Sequence, residues 1–254
     1  MRCCVSTAVL LMATGFEAVV CAQTTPVDTL HISGRADRMA TGAGGEAGMQ
    51  WVRAVSEKAG VHVGGAGGAV VKSWWLSGQF GGHRRFRAVT ASGAVDVGQA
   101  ADASGRFRFG RYKAGIGIPV RPAIVVEAEA QFVSLPSTLS QRVYRSSVSW
   151  SGWHASTVQG SYHRLVSETA ASNMVSGRID VTAGRIGWIG GAMVGSSRAL
   201  DPLELQLSLT PPSREVFGGC RFRMRDYELS TVLDWSQSVI RVARVLVGVG
   251  IPLK

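Results

Sequence analysis

Apolar and polar residues alternate along most of this chain, with the two-residue period of a β-strand, whose successive side chains point to opposite faces. The pattern is clearest near the end of the chain, where Ala243, Val245, Val247, Val249, Ile251 and Leu253 oppose Val242, Arg244, Leu246, Gly248 and Gly250. Segments 124–132, 144–150, 203–210, 220–225 and 227–236 repeat it. The sequence therefore predicts an all-β fold.

The first 22 residues have the features of a secretory signal peptide. A short positive start is followed by an apolar run over 8–16 and by Val20-Cys21-Ala22 before Gln23. Cleavage after Ala22 would leave 254 − 22 = 232 residues, predicted to form a single β domain over 23–254. Of the four cysteines only Cys220 would remain, so no internal disulfide is expected.

The way this chain would cross a membrane follows from its hydropathy. No later stretch offers 18 uninterrupted apolar residues, which excludes transmembrane helices. A closed barrel is the other structure that satisfies all backbone hydrogen bonds in hydrocarbon. The alternating runs give 12 to 14 strands, and we expect about 12, with ten or 14 as alternatives, because such barrels have even strand numbers.

Glycine clusters interrupt the pattern in the N-terminal third. Those at 42–45 and 64–68 are interpreted as turns or bulges of the strands. The alternation also slips near Gly110, where either a bulge or a turn is expected.

The formal charge of +10 is spread along the strand-like segments and no nucleic-acid-binding motif accompanies it. Anionic lipid headgroups and anionic solutes are therefore the expected partners, rather than nucleic acid. The histidines lack metal-binding spacing, so no metal site is expected. Residues 42–47 fit a loose Gly-x-Gly-x-x-Ala spacing, but no helix pattern follows, so no cofactor is expected. Nothing in the sequence specifies an oligomeric state.

The signal peptide, serial alternating strands and short turns resemble those of the bacterial outer-membrane β-barrel class. Tryptophans near the predicted strand ends match an interfacial girdle, at positions Trp51, Trp74, Trp75, Trp150, Trp153, Trp188 and Trp235. The resemblance is architectural, without a family motif. It implies an antiparallel up-and-down barrel in the bacterial outer membrane, with its apolar phase toward lipid and its polar phase toward the lumen.

Several ionisable residues of the polar phase are predicted to face that lumen: Arg106, Arg108, Glu127, Glu129, Arg221, Arg223 and Arg225. They favour a non-enzymatic structural barrel or a small channel that prefers anions. Soluble β-sandwiches alternate as well, so a secreted or periplasmic protein that binds an acidic ligand is an alternative.

A second alternative rests on His154, Ser156 and Glu168. On one strand, His154 and Ser156 would share a face about 7 Å apart at the α-carbons, within reach for a histidine base and a serine nucleophile. The spacing resembles that of outer-membrane lipid A deacylases, which implies Ser156 as nucleophile, His154 as base and Glu168 as the residue that orients the histidine.

Overall fold

The computed structural model describes residues 28–39, 42–70, 72–102, 105–134, 140–153, 155–167, 171–195, 214–224, 227–237 and 241–253. The expected signal peptide, the leucine-rich segment 203–209 and the residues His154, Glu168 and Arg225 lie outside them. The described part of the chain forms fourteen strands: β1 (Asp28–Met39), β2 (Gly42–Ser56), β3 (Ala59–Val70), β4 (Ser73–Phe86), β5 (Val89–Asp102), β6 (Gly105–Arg121), β7 (Ile124–Ser134), β8 (Gln141–Trp153), β9 (Ser156–Ser167), β10 (Ala171–Ala183), β11 (Ile186–Gly195), β12 (Arg214–Arg223), β13 (Glu228–Gln237) and β14 (Arg241–Leu253).

The strands form one closed antiparallel barrel in which every strand pairs with its sequence neighbours. The first and last strands close it, in a continuous register from Asp28 opposite Leu253 to Met39 opposite Val242. Closure leaves no sheet edge to pair with another chain. The all-β up-and-down barrel is confirmed, with 14 strands rather than the preferred 12. In the described residues no helix is long and apolar enough to span a membrane.

The glycine clusters are part of regular strands. β2 and β3 run through 42–45 and 64–68, and their pairing shifts only between Ala54 and Ser56. Pairing of β5 with β6 is likewise unbroken through Gly110. The interpretation as turns or bulges was wrong because strand pairing continues through these glycines. Gly44, Gly64 and Gly68 have the inward phase and make room for side chains on the inner wall.

The apolar phase forms the outer face of the barrel. On β14, Val245 and Val247 are each 44% exposed, whereas Arg244 directly before them and Leu246 between them are 4% and 7% exposed and point inward. Leu76 and Phe80 on β4 are exposed on the same outer face, at 62% and 63%. This orientation is the one that the alternation predicted, and it is opposite to that of a soluble sandwich.

The two ends of the barrel differ in their connections. At the end that holds Asp28 and Leu253, here called the terminus end, β-turns of two residues join the strands at 57–58, 87–88, 122–123 and 184–185. Arg87 and Gly184 adopt left-handed φ values of 54° and 62° there, as tight hairpins require. The opposite end, here called the loop end, carries the longer connections 135–140 and 196–213.

Most tryptophans lie on the outer face near the strand ends. Trp51, Trp150 and Trp188 are closer to the terminus end, and Trp74 and Trp235 are closer to the loop end. Such rings mark the two membrane interfaces of outer-membrane barrels. Trp75 is an exception, because it is only 4% exposed and points into the barrel.

Candidate functional site in the barrel interior

An apolar cluster fills the inside of the barrel at the loop end. Its members come from seven strands around the wall: Met39, Val70, Trp75, Ala100, Phe109, Val133 and Val242. All are 8% exposed or less. Side chains from β1 and β14 thus share one cluster with a side chain from β7, which is on a distant part of the circumference. The lumen is therefore constricted at the level of this cluster.

Next to this cluster, toward the middle of the barrel, arginines and carboxylates alternate in a chain that we call the ion-pair network. Arg35 Nη1 lies 3.0 Å from Glu46 Oε2, and Arg35 Nε lies 3.1 Å from Asp37 Oδ1. Arg244 Nε is 3.6 Å from the same Asp37 oxygen, and Arg244 Nη1 donates to Asp234 Oδ2 at 2.9 Å. The network therefore links β1, β2, β13 and β14 across the barrel closure.

The pairs of this network are almost fully dehydrated. The side chains of Arg35, Asp37, Arg244 and Asp234 are 2 to 4% exposed. Arg111 pairs with Asp96 on the neighbouring β6 and β5. Buried charges of this kind are tolerated only when each one is paired, because an uncompensated ion in a low-dielectric interior is strongly destabilising.

A cavity of about 530 Å³ occupies the interior toward the terminus end. We call it the chamber. Its basic lining residues are Lys58, Arg85, Lys113 and Arg145, and its carboxylates are Glu57, Glu127 and Glu129. Serine and threonine side chains, including those of Ser92 and Ser147, share the rest of the wall with glycine, alanine and aliphatic residues. The volume is within the range of about 300–1,000 Å³ that is usual for small-molecule sites.

Two histidines lie flat on the chamber wall because each faces a glycine on the adjacent strand. His62 pairs with Gly81 and His83 pairs with Gly60. A Cβ on Gly81 would be 2.6 Å from His62 Cε1, and a Cβ on Gly60 would be 2.7 Å from His83 Cε1. No group of three or more metal-ligating side chains is found among the described residues, so these histidines carry no argument for a metal.

Glu127 and Glu129 lie on the chamber wall, the side on which the sequence analysis expected them. Glu127 Oε2 accepts hydrogen bonds from Ser147 Oγ at 3.1 Å and from Gln159 Nε2 at 3.5 Å. Glu129 is directly opposite Arg145 on β8. These carboxylates are therefore held by neighbouring strands and line the space that a solute would enter.

Arg221 also faces inward, as its strand phase indicated, and is 8% exposed. Its Nη2 lies 3.7 Å from Asp180 Oδ1 and its Nη1 lies 3.9 Å from Glu228 Oε1. Arg223 Nη2 lies 3.3 Å from Glu228 Oε2 near the end of β12. Their positive charge is thus compensated by carboxylates of the same wall.

Arg106 and Arg108 do not face the lumen, and this expectation was wrong. On β6, Phe109 and Arg111 point into the barrel. Because side chains alternate along a strand, Arg106 and Arg108 point to the outer face at the loop end. There the Arg106 guanidinium lies 5.9 Å from the ring centroid of Trp74. The sequence could not fix the phase of β6 because both of its faces carry arginine.

The proposed strand through His154 and Ser156 is also wrong. β8 ends at Trp153, which pairs directly with Ser156 at the start of β9, and Ala155 between them has a φ of 54°. Ser156 is 7% exposed and lies opposite Val181 on β10. Since His154 and Glu168 lie outside the described residues, the hydrolase alternative remains a prediction from the sequence.

The ion-pair network was missed by the sequence analysis. Its one local signal is Arg35-Ala36-Asp37, in which two opposite charges share a face of one strand. The partners Asp234 and Arg244 come from the other end of the chain. Only the closing register of β1 with β14 brings them together, and that register is not visible in a single sequence.

Solved structures with a similar fold include a channel, a transporter and an outer membrane protein. CymD, described as a monoaromatic hydrocarbon channel, superposes with a TM-score of 0.64 at 9% identity, over 91% of this chain and 89% of that one. The toluene transporter TbuX of Ralstonia pickettii gives 0.61 at 9% identity, over 90% of both chains. Omp33 of Acinetobacter baumannii gives 0.57 at 7% identity, over 89% of this chain and 99% of that one.

These likenesses identify the architecture. The chain has the fold of bacterial outer-membrane β-barrel channels. No protein-family model matches it. No curated protein matches it in sequence either.

Proposed function

We propose that this protein is a bacterial outer-membrane channel for small hydrophilic solutes. The observation that carries the proposal is a chamber of about 530 Å³, lined in part by charged side chains, inside a barrel whose outer face is apolar. A wall of this kind needs lipid on one side and water on the other. The names of two structures with similar folds, a monoaromatic hydrocarbon channel and a toluene transporter, support the passage of small molecules, although the solutes in those names are apolar.

A location in the membrane is supported by the outer face itself. Large apolar side chains in the middle of the strands are widely exposed, among them Leu76, Phe80, Val175 and Leu233 at 61 to 63%. A contiguous apolar surface of this kind would aggregate in water. The alternative of a soluble secreted protein is therefore not part of the proposal.

Solutes would enter the chamber from the terminus end and meet the ion-pair network and then the apolar cluster. The chamber has four basic residues against three carboxylates. In the ion-pair network, Arg35 and Arg244 are paired with carboxylates. Because neither region carries a large unpaired charge of one sign, we expect weak charge selectivity, and the anion preference expected from the sequence is not retained.

The apolar cluster sets the expected conductance. Hydrophobic constrictions restrict permeation because they exclude water. Trp75 and Phe109 are the largest members of this cluster. The proposal therefore predicts a small conductance for the native protein and a larger one when either ring is removed.

Planar-bilayer recording with the purified protein tests this function. Native protein should give small discrete current steps, with a reversal potential close to zero in a potassium chloride gradient. Phe109→Ala should increase the step size, whereas Phe80→Ala, the same change on the outer face, should not. A flat trace from native protein and from Phe109→Ala would overturn the channel proposal and leave a structural barrel.

A further inference from the structure

Seven arginines form a partial ring on the outer face of the barrel at the loop end. We call them the outer arginine belt: Arg38, Arg106, Arg108, Arg142, Arg164, Arg214 and Arg241. Each is exposed and has the outward phase of its strand. On β8, for example, Arg142 is exposed while Gln141 beside it is 6% exposed and points inward.

Belt arginines lie close together in two places, across β12 to β14 and across β8 and β9. Arg214 lies opposite Gln237, and Gln237 lies opposite Arg241 on the next strand. On the far side of the barrel, Arg164 of β9 lies opposite Tyr144, two residues from Arg142. Several guanidinium groups can therefore reach the same neighbouring molecule.

No carboxylate shares this surface within the described residues. All carboxylates on the strands near the loop end, such as Asp37, Glu46 and Glu215, have the inward phase. Near the terminus end, the outward Arg53 lies 3.7 Å from Asp28, a carboxylate on the same surface. Arg84, also outward there, is stacked on Phe86 at 5.0 Å. The loop-end leaflet thus meets a much larger excess of positive charge on the barrel wall.

The height of the belt coincides with the aromatic residues at that end. Arg106 covers Trp74, and Arg142 and Arg164 adjoin Tyr144. Trp and Tyr side chains occupy the headgroup level of a bilayer. An arginine on a lipid-facing wall at that level needs an anionic partner, and the planar guanidinium matches phosphate oxygens in a two-point hydrogen bond.

We propose that the outer arginine belt binds the phosphate groups of lipid headgroups in the leaflet at the loop end. In outer-membrane barrels the longer connections lie on the extracellular side. The lipid would therefore be the phosphorylated lipid of the outer leaflet. Its phosphates would supply counter-charges to the arginines of the belt.

The test measures lipid retention by purified protein in a neutral detergent. Native mass spectrometry would count molecules of diphosphoryl lipid A that remain bound, with phosphatidylcholine as the lipid without net charge. The quadruple variant Arg142→Gln/Arg164→Gln/Arg214→Gln/Arg241→Gln removes four arginines of the belt. The control Arg53→Gln/Arg84→Gln removes two outward arginines near the other end.

Each arginine near an anionic surface contributes about fivefold to the affinity, from about 1 kcal/mol. The belt variant should therefore lose well over tenfold in lipid A affinity, while the control retains most of it. Equal retention by native protein and belt variant, or an equal loss in the control, would overturn the proposal. Competition by inorganic phosphate at the same concentration as lipid A would also overturn it, because it would mean a free-phosphate site.

The same variants separate this inference from the channel proposal. The belt lies outside the lumen, so single-channel conductance should be unchanged in the belt variant. A protein without conductance that still retains lipid A would contradict the channel function alone. Lipid A retention that is independent of the belt, in a conducting protein, would contradict the lipid site alone.

Discussion

Trp75 of β4 lies across Gly68 of β3 on the inner wall, where a Cβ on the glycine would be 2.8 Å from the indole Nε1. The relationship recurs between Phe109 and Gly98, where the added Cβ would be 2.6 Å from the ring Cζ. Inner-wall glycines thus provide the space in which large side chains pack flat against the next strand. The constriction of the lumen depends on them.

Gly68→Ala should destabilise the barrel by about 1–3 kcal/mol, the usual cost of overpacking a filled site. The new methyl group would also be 2.6 Å from the carbonyl oxygen of Gly45, so the backbone cannot yield easily. Urea unfolding in lipid vesicles, followed by the mobility shift of unheated protein on a gel, measures the loss. Gly117→Ala is the control, because its Cβ would be 3.6 Å from Glu127 Cγ, an ordinary contact. Equal stability of the two variants would contradict the packing role of Gly68.

The sequence was sufficient for the architecture because alternation reports directly on which face meets lipid. Val245 and Val247 could be assigned to the outer face without knowing any pairing. The number of strands was harder to predict, because the two faces of a glycine-rich strand such as β3 differ little in hydrophobicity. The glycines at 64–68 were interpreted as breaks because their partners, such as Trp75, lie on another strand.

The interior could be predicted only in part. On the strand of Glu127 and Glu129 the alternate positions are clearly apolar, so the sequence alone predicted that the two carboxylates point into the barrel. Arg106 and Arg108 lie on a strand whose two faces both carry arginine, and their direction did not follow. The pairing of Arg244 with Asp37 and Asp234 depends on barrel closure, which is a long-range property.

Arg244→Gln should cost about 3–5 kcal/mol of stability, because Asp37 and Asp234 would lose a buried counter-charge. Both carboxylates are 4% exposed or less at the side chain, so water cannot replace the guanidinium. The measurement is urea unfolding of the folded barrel in vesicles.

Arg178→Gln provides the comparison for Arg244→Gln. Its pair with Asp180 is shorter, at 2.7 Å, but the two side chains are 21% and 16% exposed, and Arg221 remains near Asp180. Loss of the Arg178–Asp180 pair should lower the free energy of unfolding by about 1 kcal/mol or less. Adding Asp37→Asn and Asp234→Asn to Arg244→Gln should recover most of the stability. A triple variant no more stable than Arg244→Gln would contradict the electrostatic explanation.

The membrane depth of the outer face can be measured with two valines. Val148 is in the middle of β8, and Val194 is one residue from the end of β11; both are exposed on the outer face. Val148→Arg should cost about 2–4 kcal/mol and Val194→Arg about 0–1 kcal/mol, because the cost of a lipid-facing arginine falls toward the interface. Reversible unfolding in vesicles gives both values. If the two variants lost the same stability, the centre of β8 would not lie in hydrocarbon.

Chemical accessibility can distinguish the chamber from the lipid-facing surface on a single strand. Ser92 lines the chamber, whereas Val95, three residues along β5, is 41% exposed on the outer face. The free Cys220 is half-buried on the outer phase of β12 and would first be replaced by alanine. In vesicles, Ser92→Cys should react with a charged methanethiosulfonate reagent, because a thiolate forms readily only where water reaches it. Val95→Cys should remain unmodified until detergent removes the lipid. Faster labelling of Val95→Cys than of Ser92→Cys in intact vesicles would reverse the assignment of the two faces, and the channel proposal would then fail as well.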